Sequence, residues 1–154
     1  MRTKYIYKHK SEFKHIGANL FWQPRIYPSN PELISLGNNC VIAARVQFIN
    51  HDVVDYMLNT KFGGGYVHYE APILIGDDVM IGADSIILPN VMIGNEVVVG
   101  AGSVVAKDIE SHSVAAGIPC KKIGTFDAFC DKRRLITNKN CNQLWEEFVA
   151  RRKM

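Results

Sequence analysis

The sequence predicts a mainly β solenoid, in which very short parallel strands form the flat sides of stacked triangular coils. The main observation is a motif that repeats every six residues over 75–104. Each repeat opens with an aliphatic residue, usually followed by Gly, and its fifth position is small or apolar. A helix requires apolar residues at a period near 3.6 and a half-buried strand at a period of about 2, so a period of six fits a solenoid of strands and corners.

The repeat length suits one side of a triangular coil, because a short strand and a sharp corner together span about six residues. Successive coils pair as neighbouring strands at about 4.8 Å, so the aliphatic residues that open the repeats stack inside the coil. Gly, Asn and Asp follow in most repeats and suit corners that require a positive φ. The interior is therefore predicted to be a column of Ile, Val and Leu.

The same template extends beyond this central region. It fits residues 16–26 and, after a proline-rich turn, residues 36–52, and it continues from near Tyr69 to about Ile109. Between these stretches the frame breaks over about 53–68, which include three consecutive glycines. A solenoid accommodates an insertion as a loop that projects from one corner, and a long loop in a compact domain is usually functional. We therefore predict a projecting loop over about 53–68.

The C-terminal part is predicted to be helical. After Thr125 the six-residue pattern is lost, and four apolar residues spaced as on one helical face follow: Cys141, Leu144, Trp145 and Phe148. Thr125 and Asn140 are suited to cap two helices, the first over about 126–135. Such a segment would cap the open end of the solenoid or pack on a neighbour, because an unpaired last coil leaves a raw edge. The chain is thus predicted to be one domain, 1–154, with a solenoid over about 16–124 and a helical cap over about 125–152.

Composition indicates an ordinary globular protein and argues against several classes. The 154 residues suit one domain, and a formal net charge of +3 is too weak to indicate nucleic-acid binding. No stretch approaches the ~20 apolar residues of a membrane span, and the charged N-terminus does not resemble a signal peptide. The four cysteines form no Cys-x-x-Cys pair and have no histidine at zinc spacing. We therefore expect reduced thiols, no metal and a cytoplasmic location.

Three stretches of sequence carry a resemblance to a known family. They are Phe48-Ile49-Asn50-His51-Asp52 before the insertion, the run from Ile93-Gly94 through Gly100-Ala101-Gly102 to Asp108-Ile109, and Ala115-Ala116-Gly117-Ile118-Pro119-Cys120-Lys121. Over about 16–124 the chain resembles the hexapeptide-repeat acyltransferases, and within them the sugar O-acetyltransferases of the maltose, galactoside and capsular-polysaccharide type. The resemblance implies a left-handed parallel β-helix, an exception to the right-handed crossover rule, and a homotrimer with active sites between subunits.

The resemblance implies an acetyl-CoA-dependent transfer of an acetyl group to a hydroxyl of a sugar or surface-glycan precursor. His51 is the candidate general base, because imidazole is suited to accept a proton near neutral pH and this one stands where the repeat ends and the insertion begins. The hydroxyl would attack the thioester directly, since no cysteine or serine adjoins His51 in sequence. Asn50 and Asp52 are candidate acceptor-binding residues, although Asp52 could instead orient His51 or satisfy its own turn.

The resemblance also places coenzyme A along the groove between adjacent β-helices. Its main-chain contacts would fall at Ala83, Ala101 and Ala106-Lys107, where small side chains let the pantetheine arm reach the backbone. Lys107 and Lys121 would meet the nucleotide phosphates as point charges. Without the resemblance, the alanines simply fit tight corners and the lysines are solvated.

Other assignments stay open from the sequence. Trp22 and Tyr56 are candidates to stack on a sugar, although an apolar plug suits Trp22 better, and His68 closes the insertion and could line the cleft. The long helical N-terminal region of the maltose and galactoside enzymes is absent, which favours a capsular or surface-glycan acceptor. The alternatives are an N-acetyltransferase on an amino sugar, a non-catalytic scaffold, and a metal enzyme like the γ-type carbonic anhydrases, for which His51 and His68 are too far apart in sequence.

Overall fold

The computed structural model describes residues 2–152, which form a left-handed parallel β-helix with short helices at both ends and in the insertion. This confirms the predicted fold class. The first of three sheets contains β1 (His15–Ile16), β3 (Ile34–Leu36), β6 (Ile73–Ile75) and β9 (Val91–Ile93). The second contains β2 (Phe21–Trp22), β4 (Val41–Ile42), β7 (Val79–Ile81), β10 (Val97–Val99), β12 (Ser113–Ala116) and β13 (Lys121–Thr125), and the third contains β5 (Gln47–Phe48), β8 (Ile86–Ile87) and β11 (Val104–Val105). The helices are α1 (Arg2–Lys8), α2 (Val54–Phe62), α3 (Phe126–Arg134) and α4 (Cys141–Ala150).

Two different positions of the repeat form each corner. The fourth residue has a positive φ in all five central repeats, between 54° and 70°: Asp78, Asp84, Asn90, Glu96 and Gly102. The second residue, usually Gly, is needed for a different reason, which the sequence did not show. A Cβ on Gly37 would lie 2.4 Å from the carbonyl oxygen of Gly76 on the next coil. Close approach of neighbouring coils, and not a positive φ, therefore requires glycine there.

The core is the column of aliphatic side chains that the repeat predicts. The residues that open the central repeats are all buried: Ile75, Ile81, Ile87, Ile93 and Val99. The residues at the fifth position are buried as well: Val79, Ser85, Val91, Val97 and Ser103. The two serine hydroxyls are satisfied, because each donates to the carbonyl of Gly100, at 3.2 Å from Ser85 and 2.6 Å from Ser103. Each fully buried Ile or Val contributes about 1.5–3 kcal/mol, so the stack is the main source of stability.

The N-terminal end of the solenoid is covered by α1, a helix that the repeat pattern does not predict. Ile6 of this helix is fully buried, and the Tyr7 hydroxyl donates to the carbonyl of Gly17 at 3.2 Å. Below it, Trp22 is buried and its ring stacks on Phe48 with 5.7 Å between centroids. Trp22 is therefore an apolar plug in the first coils and not a platform for a sugar.

The insertion is partly helical, which corrects the prediction of a loop. α2 begins two residues after Asp52, whose carboxylate accepts a hydrogen bond from the Val54 N–H at 3.0 Å. The helix ends at Gly63, which has a φ of 81°. None of its residues is buried, so the apolar side chains that it carries at helical spacing, such as Val54, Met57 and Leu58, do not pack into the core. The insertion still projects from one corner of the solenoid, as predicted.

The C-terminal segment follows an antiparallel strand. β13 turns back on β12 and ends the ladder of the second sheet. The predicted caps of both following helices are confirmed, because Thr125 accepts from the N–H of Ala128 at 3.4 Å and Asn140 from that of Gln143 at 3.0 Å. α4 has no buried residue, so the end of the solenoid is covered by β13 and not by this helix. That α4 packs on a neighbour stays a prediction. No helix within 2–152 is long and apolar enough to span a membrane.

Candidate active site

His51 lies at the corner that follows β5, where the insertion leaves the solenoid. The chain returns alongside it, since His51 and Glu70 form an isolated antiparallel bridge. The N–H of Asp52 donates to the carbonyl of Tyr69 at 3.1 Å. Both ends of the insertion are therefore fixed beside His51, and its side chain stays partly exposed.

A buried asparagine sets the tautomer of His51. The Asn50 side-chain nitrogen donates to the carbonyl of Asn30 at 2.6 Å, which directs the amide oxygen toward His51. That oxygen lies 3.3 Å from His51 Nδ1. Because an amide oxygen can only accept, the proton of the neutral ring lies on Nδ1. The lone pair is then on Nε2, which is the state that a general base requires.

This contact changes the role predicted for Asn50. The residue is fully buried, so its side chain is not accessible to an acceptor and instead positions His51. Asp52 is exposed, and one of its oxygens holds the first turn of α2. The alternative that Asp52 satisfies its own turn is thus confirmed, while a contact between its carboxylate and an acceptor stays a prediction.

A second imidazole lies beside the first. The rings of His51 and His68 have centroids 5.7 Å apart. His68 Nδ1 lies 3.1 Å from an oxygen of Asp55 on α2, and Glu70 accepts from the side chain of Asn30 at 2.8 Å. The sequence does not reveal Asn30, Asp55 and Glu70 as site residues, because a helix and the bridge bring together residues that are far apart in the chain.

The predicted coenzyme A contacts border one face of the β-helix, the outer surface of the sheet formed by β5, β8 and β11. Ala83 and Ala101 lie on successive coils at the edge where the chain enters this sheet. Ala106 and Lys107 directly follow β11 at the opposite edge, which is also the edge of the His51 corner. Lys121 follows Cys120, whose N–H donates to the carbonyl of Val104 at 2.8 Å, and so lies at the end of the same face.

Between these edges lies the outer surface of the three short strands. Its outward side chains are Gln47, Ile86 and Val104, and all three are partly buried. Ala101, Ala106 and both lysines are exposed, and Ala83 is partly exposed. Within residues 2–152, no three His, Cys, Asp or Glu side chains are grouped so that they could hold a metal ion.

Comparison with known sequences identifies relatives along most of this solenoid. The family described as bacterial transferase hexapeptide (six repeats) matches residues 72–107. Protein CapG of Staphylococcus aureus is 44% identical over 103 residues, which cover 67% of this chain and 59% of that protein. Galactoside O-acetyltransferase of Escherichia coli is 36% identical over 109 residues, which cover 71% of this chain and 52% of that protein. The chain thus spans little more than half the length of these curated relatives.

Solved structures agree with the sequence relatives. A galactoside acetyltransferase in complex with coenzyme A superposes with a TM-score of 0.63 at 29% identity, over 90% of this chain and 76% of that one. The register of the coils, the positive-φ corners and these matches all indicate the same fold. Residues 72–107 of the chain match the hexapeptide-repeat transferase family, and the relatives of the chain include a galactoside O-acetyltransferase.

Proposed function

We propose that this protein is an acetyl-CoA-dependent O-acetyltransferase that acts on a hydroxyl of a sugar or surface-glycan precursor. The observation that carries the proposal is the orientation of His51, whose Nδ1 is held by the buried Asn50 so that Nε2 is free to accept a proton. Two relatives support the same chemistry, since one is named galactoside O-acetyltransferase and the solved galactoside enzyme holds coenzyme A.

In the proposed reaction, His51 Nε2 removes the proton of the acceptor hydroxyl. At the same time, the hydroxyl oxygen attacks the carbonyl carbon of the thioester. The tetrahedral intermediate then collapses, the carbon–sulfur bond breaks, and the thiolate of coenzyme A takes the proton from His51. The transfer is direct and needs no acetylated enzyme. Asn50 keeps the ring in one tautomer through both proton transfers, and Asp52 is proposed to contact the acceptor at the start of α2.

The coenzyme A arm is proposed to lie along the face of β5, β8 and β11. Ala83, Ala101 and Ala106 carry small side chains there, which would let the pantetheine amides approach main-chain groups. The exposed ammonium groups of Lys107 and Lys121 are proposed to meet the phosphates, with the modest strength of surface charges. This face is open in one chain, so we propose that a second subunit closes the groove in a homotrimer. Sedimentation equilibrium tests that state, and a fully active monomer would contradict it.

The proposal is tested by replacing His51 with Ala. Purified enzyme is incubated with acetyl-CoA and a panel of methyl glycosides, and released coenzyme A and acetylated sugar are measured by chromatography. We expect His51→Ala to lower kcat by about 10²–10⁴-fold, the usual contribution of a general base. Binding of coenzyme A, measured by calorimetry, should change little.

The matched control is His112→Asn, since His112 is an exposed corner histidine whose φ of 57° Asn tolerates well. Its turnover should equal that of the wild type. If His51→Ala retained full turnover on a true acceptor, His51 would not be the base. If neither acetyl transfer nor coenzyme A binding were found in the wild type, the acetyltransferase proposal itself would fail.

A further inference from the structure

We propose that His68 is a second acceptor-binding residue, which accepts a hydrogen bond from a donor group next to the hydroxyl that is acetylated. The inference rests on the proposed function and narrows its substrate class. The acceptor would carry an adjacent hydroxyl, as in the vicinal diol of a sugar ring, or an adjacent N–H, as in an N-acetylamino sugar.

The end of the insertion holds His68 beside His51. The bridge between His51 and Glu70 places His68 two residues before the point where the insertion rejoins the corner. The two imidazole rings are 5.7 Å apart and tilted by 37°. At that distance, each imidazole has room to form a hydrogen bond with one group of a ligand. Two neighbouring substituents of one sugar ring can supply these two groups.

The ring of His68 is oriented by Asp55. His68 Nδ1 lies 3.1 Å from Asp55 Oδ1, and because a carboxylate accepts, the ring nitrogen donates. The other nitrogen, Nε2, is 3.8 Å from Glu70 Oε1, which is beyond hydrogen-bond range. That Glu70 oxygen instead accepts from the Asn30 side chain at 2.8 Å. In the neutral ring, Nε2 is therefore an acceptor that the surrounding side chains leave for a ligand.

The His68 side chain is both exposed and anchored. The His68 side chain is 41% exposed, while that of its partner Asp55 is only 22% exposed. A ring that is fixed at one nitrogen and open at the other is organised for binding before the ligand arrives, which lowers the entropy lost on association.

The two imidazoles differ in where they are attached. His51 lies on the coil itself, at the edge of the face where Ala106 and Lys107 follow β11, so it is the ring next to the proposed thioester. His68 belongs to the insertion, and its ring is held by Asp55 of α2. We therefore assign proton transfer to His51 and recognition of the neighbouring donor group to His68.

The test is a double-mutant cycle in which the His68 side chain is removed from the enzyme and one substituent is removed from the acceptor. The probes are the methyl glycoside that the wild type acetylates best among glucose, galactose and their N-acetylamino forms, and its analogues in which one group next to the acetylated position is replaced by hydrogen. We expect His68→Ala to lower kcat/KM for the parent glycoside about tenfold, the size of one hydrogen bond. The wild type should lose about the same factor on one of the deoxy analogues.

The decisive measurement is His68→Ala on that deoxy analogue. If His68 binds the deleted group, the two losses overlap, and the combined loss stays near tenfold. If the losses multiply to about a hundredfold with every analogue, His68 does not contact the group and the proposal is overturned. A loss of kcat as large as that of His51→Ala on every acceptor would equally overturn it, because His68 would then act in proton transfer.

A matched pair of variants separates binding from structure. In His68→Gln the side-chain amide reaches about as far as Nε2, whereas in His68→Asn it reaches only about as far as Nδ1. We expect Gln to restore part of the discrimination between parent and deoxy acceptor, and Asn to restore none. If the Gln and Asn variants discriminated equally between the two acceptors and lowered Tm as much as His68→Ala, His68 would be a merely structural residue. Failure of this cycle leaves the role of His51 intact, since His51→Ala is measured on the same acceptors.

Discussion

Asn50 Oδ1 lies 3.3 Å from His51 Nδ1, and the other end of the same amide is bonded to the main chain of Asn30. The orientation of the His51 ring is therefore set by the solenoid and not by the insertion. Because Asn50 is fully buried, this orientation is protected from solvent and does not depend on how the insertion moves when an acceptor binds.

The first prediction concerns this contact. Asn50→Leu should lower kcat by about 10–100-fold, because His51 then no longer has its proton fixed on Nδ1, while KM for acetyl-CoA should stay close to that of the wild type. The buried carbonyl of Asn30 loses its donor, so the free energy of unfolding should fall by about 1–3 kcal/mol. Steady-state kinetics and urea unfolding measure the two effects. Asn142→Leu, at an exposed site of α4, is the control and should change neither.

The second prediction concerns the corner glycines. Gly37→Ala places a methyl group 2.4 Å from the Gly76 carbonyl oxygen, so two coils must move apart. We expect a loss of about 3 kcal/mol or more in the free energy of unfolding, or no soluble protein. Gly63→Ala is the matched variant, because no atom lies within 4 Å of its Cβ and only its φ of 81° is unfavourable. It should cost about 1 kcal/mol. Similar Tm values for the two variants would contradict this explanation of the repeat.

The solenoid could be predicted because its coil repeats the same requirement many times. Ile93, for example, is one of several aliphatic residues spaced six apart, so the period of six stays visible where a single repeat departs from it. α1 and α2 could not be predicted in the same way. α2 buries no residue, and Ile6 of α1 packs on a coil end that exists only after folding.

The candidate site was predictable only in part. His51 stands at a break in the repeat, which the sequence reveals directly. Asn50 could not be assigned, because only the register of β5 decides whether its side chain points inward. The pair formed by His68 and Asp55 depends on the length of α2 and on the bridge at Glu70, and neither leaves a periodic signal.

The third prediction tests the inner column. Ile81 is fully buried between Ile42 on the preceding coil and Val99 on the next. Ile81→Ala should lower the free energy of unfolding by about 2–5 kcal/mol, since it leaves a cavity between rigidly spaced coils. Met80→Ala, on the outward face of the same strand, should cost less than about 1 kcal/mol. Chemical denaturation of both variants is the measurement, and a larger loss at Met80 would be inconsistent with the assigned faces.

The fourth prediction concerns Cys40 and alkaline pH. This thiol is buried, and its sulfur lies 3.3 Å from the carbonyl oxygen of Gly76. Burial raises the pKa of Cys40 to about 11, because a thiolate would be poorly solvated there. A thiol in the unfolded chain has a pKa of about 8.5. The stability due to the neutral thiol is thus fully present below that value and is lost as the pH rises through about 11.

Between about pH 8 and pH 11, the free energy of unfolding of Cys40→Ala should therefore fall less than that of the wild type. The variant starts from a lower free energy of unfolding because of the small cavity. Cys141→Ala is the matched control, since Cys141 is exposed and its removal should leave the alkaline loss unchanged. Urea unfolding at several pH values gives the slope of the unfolding free energy against pH for each protein. Lysines and tyrosines contribute equally in all three proteins, so their contribution cancels in the difference between variants. Labelling with a thiol reagent near pH 8 adds a second check, in which Cys141 should react in the folded protein and Cys40 only after unfolding. Identical alkaline slopes in all three proteins, together with rapid labelling of Cys40, would show that the thiol is not held inside the coil.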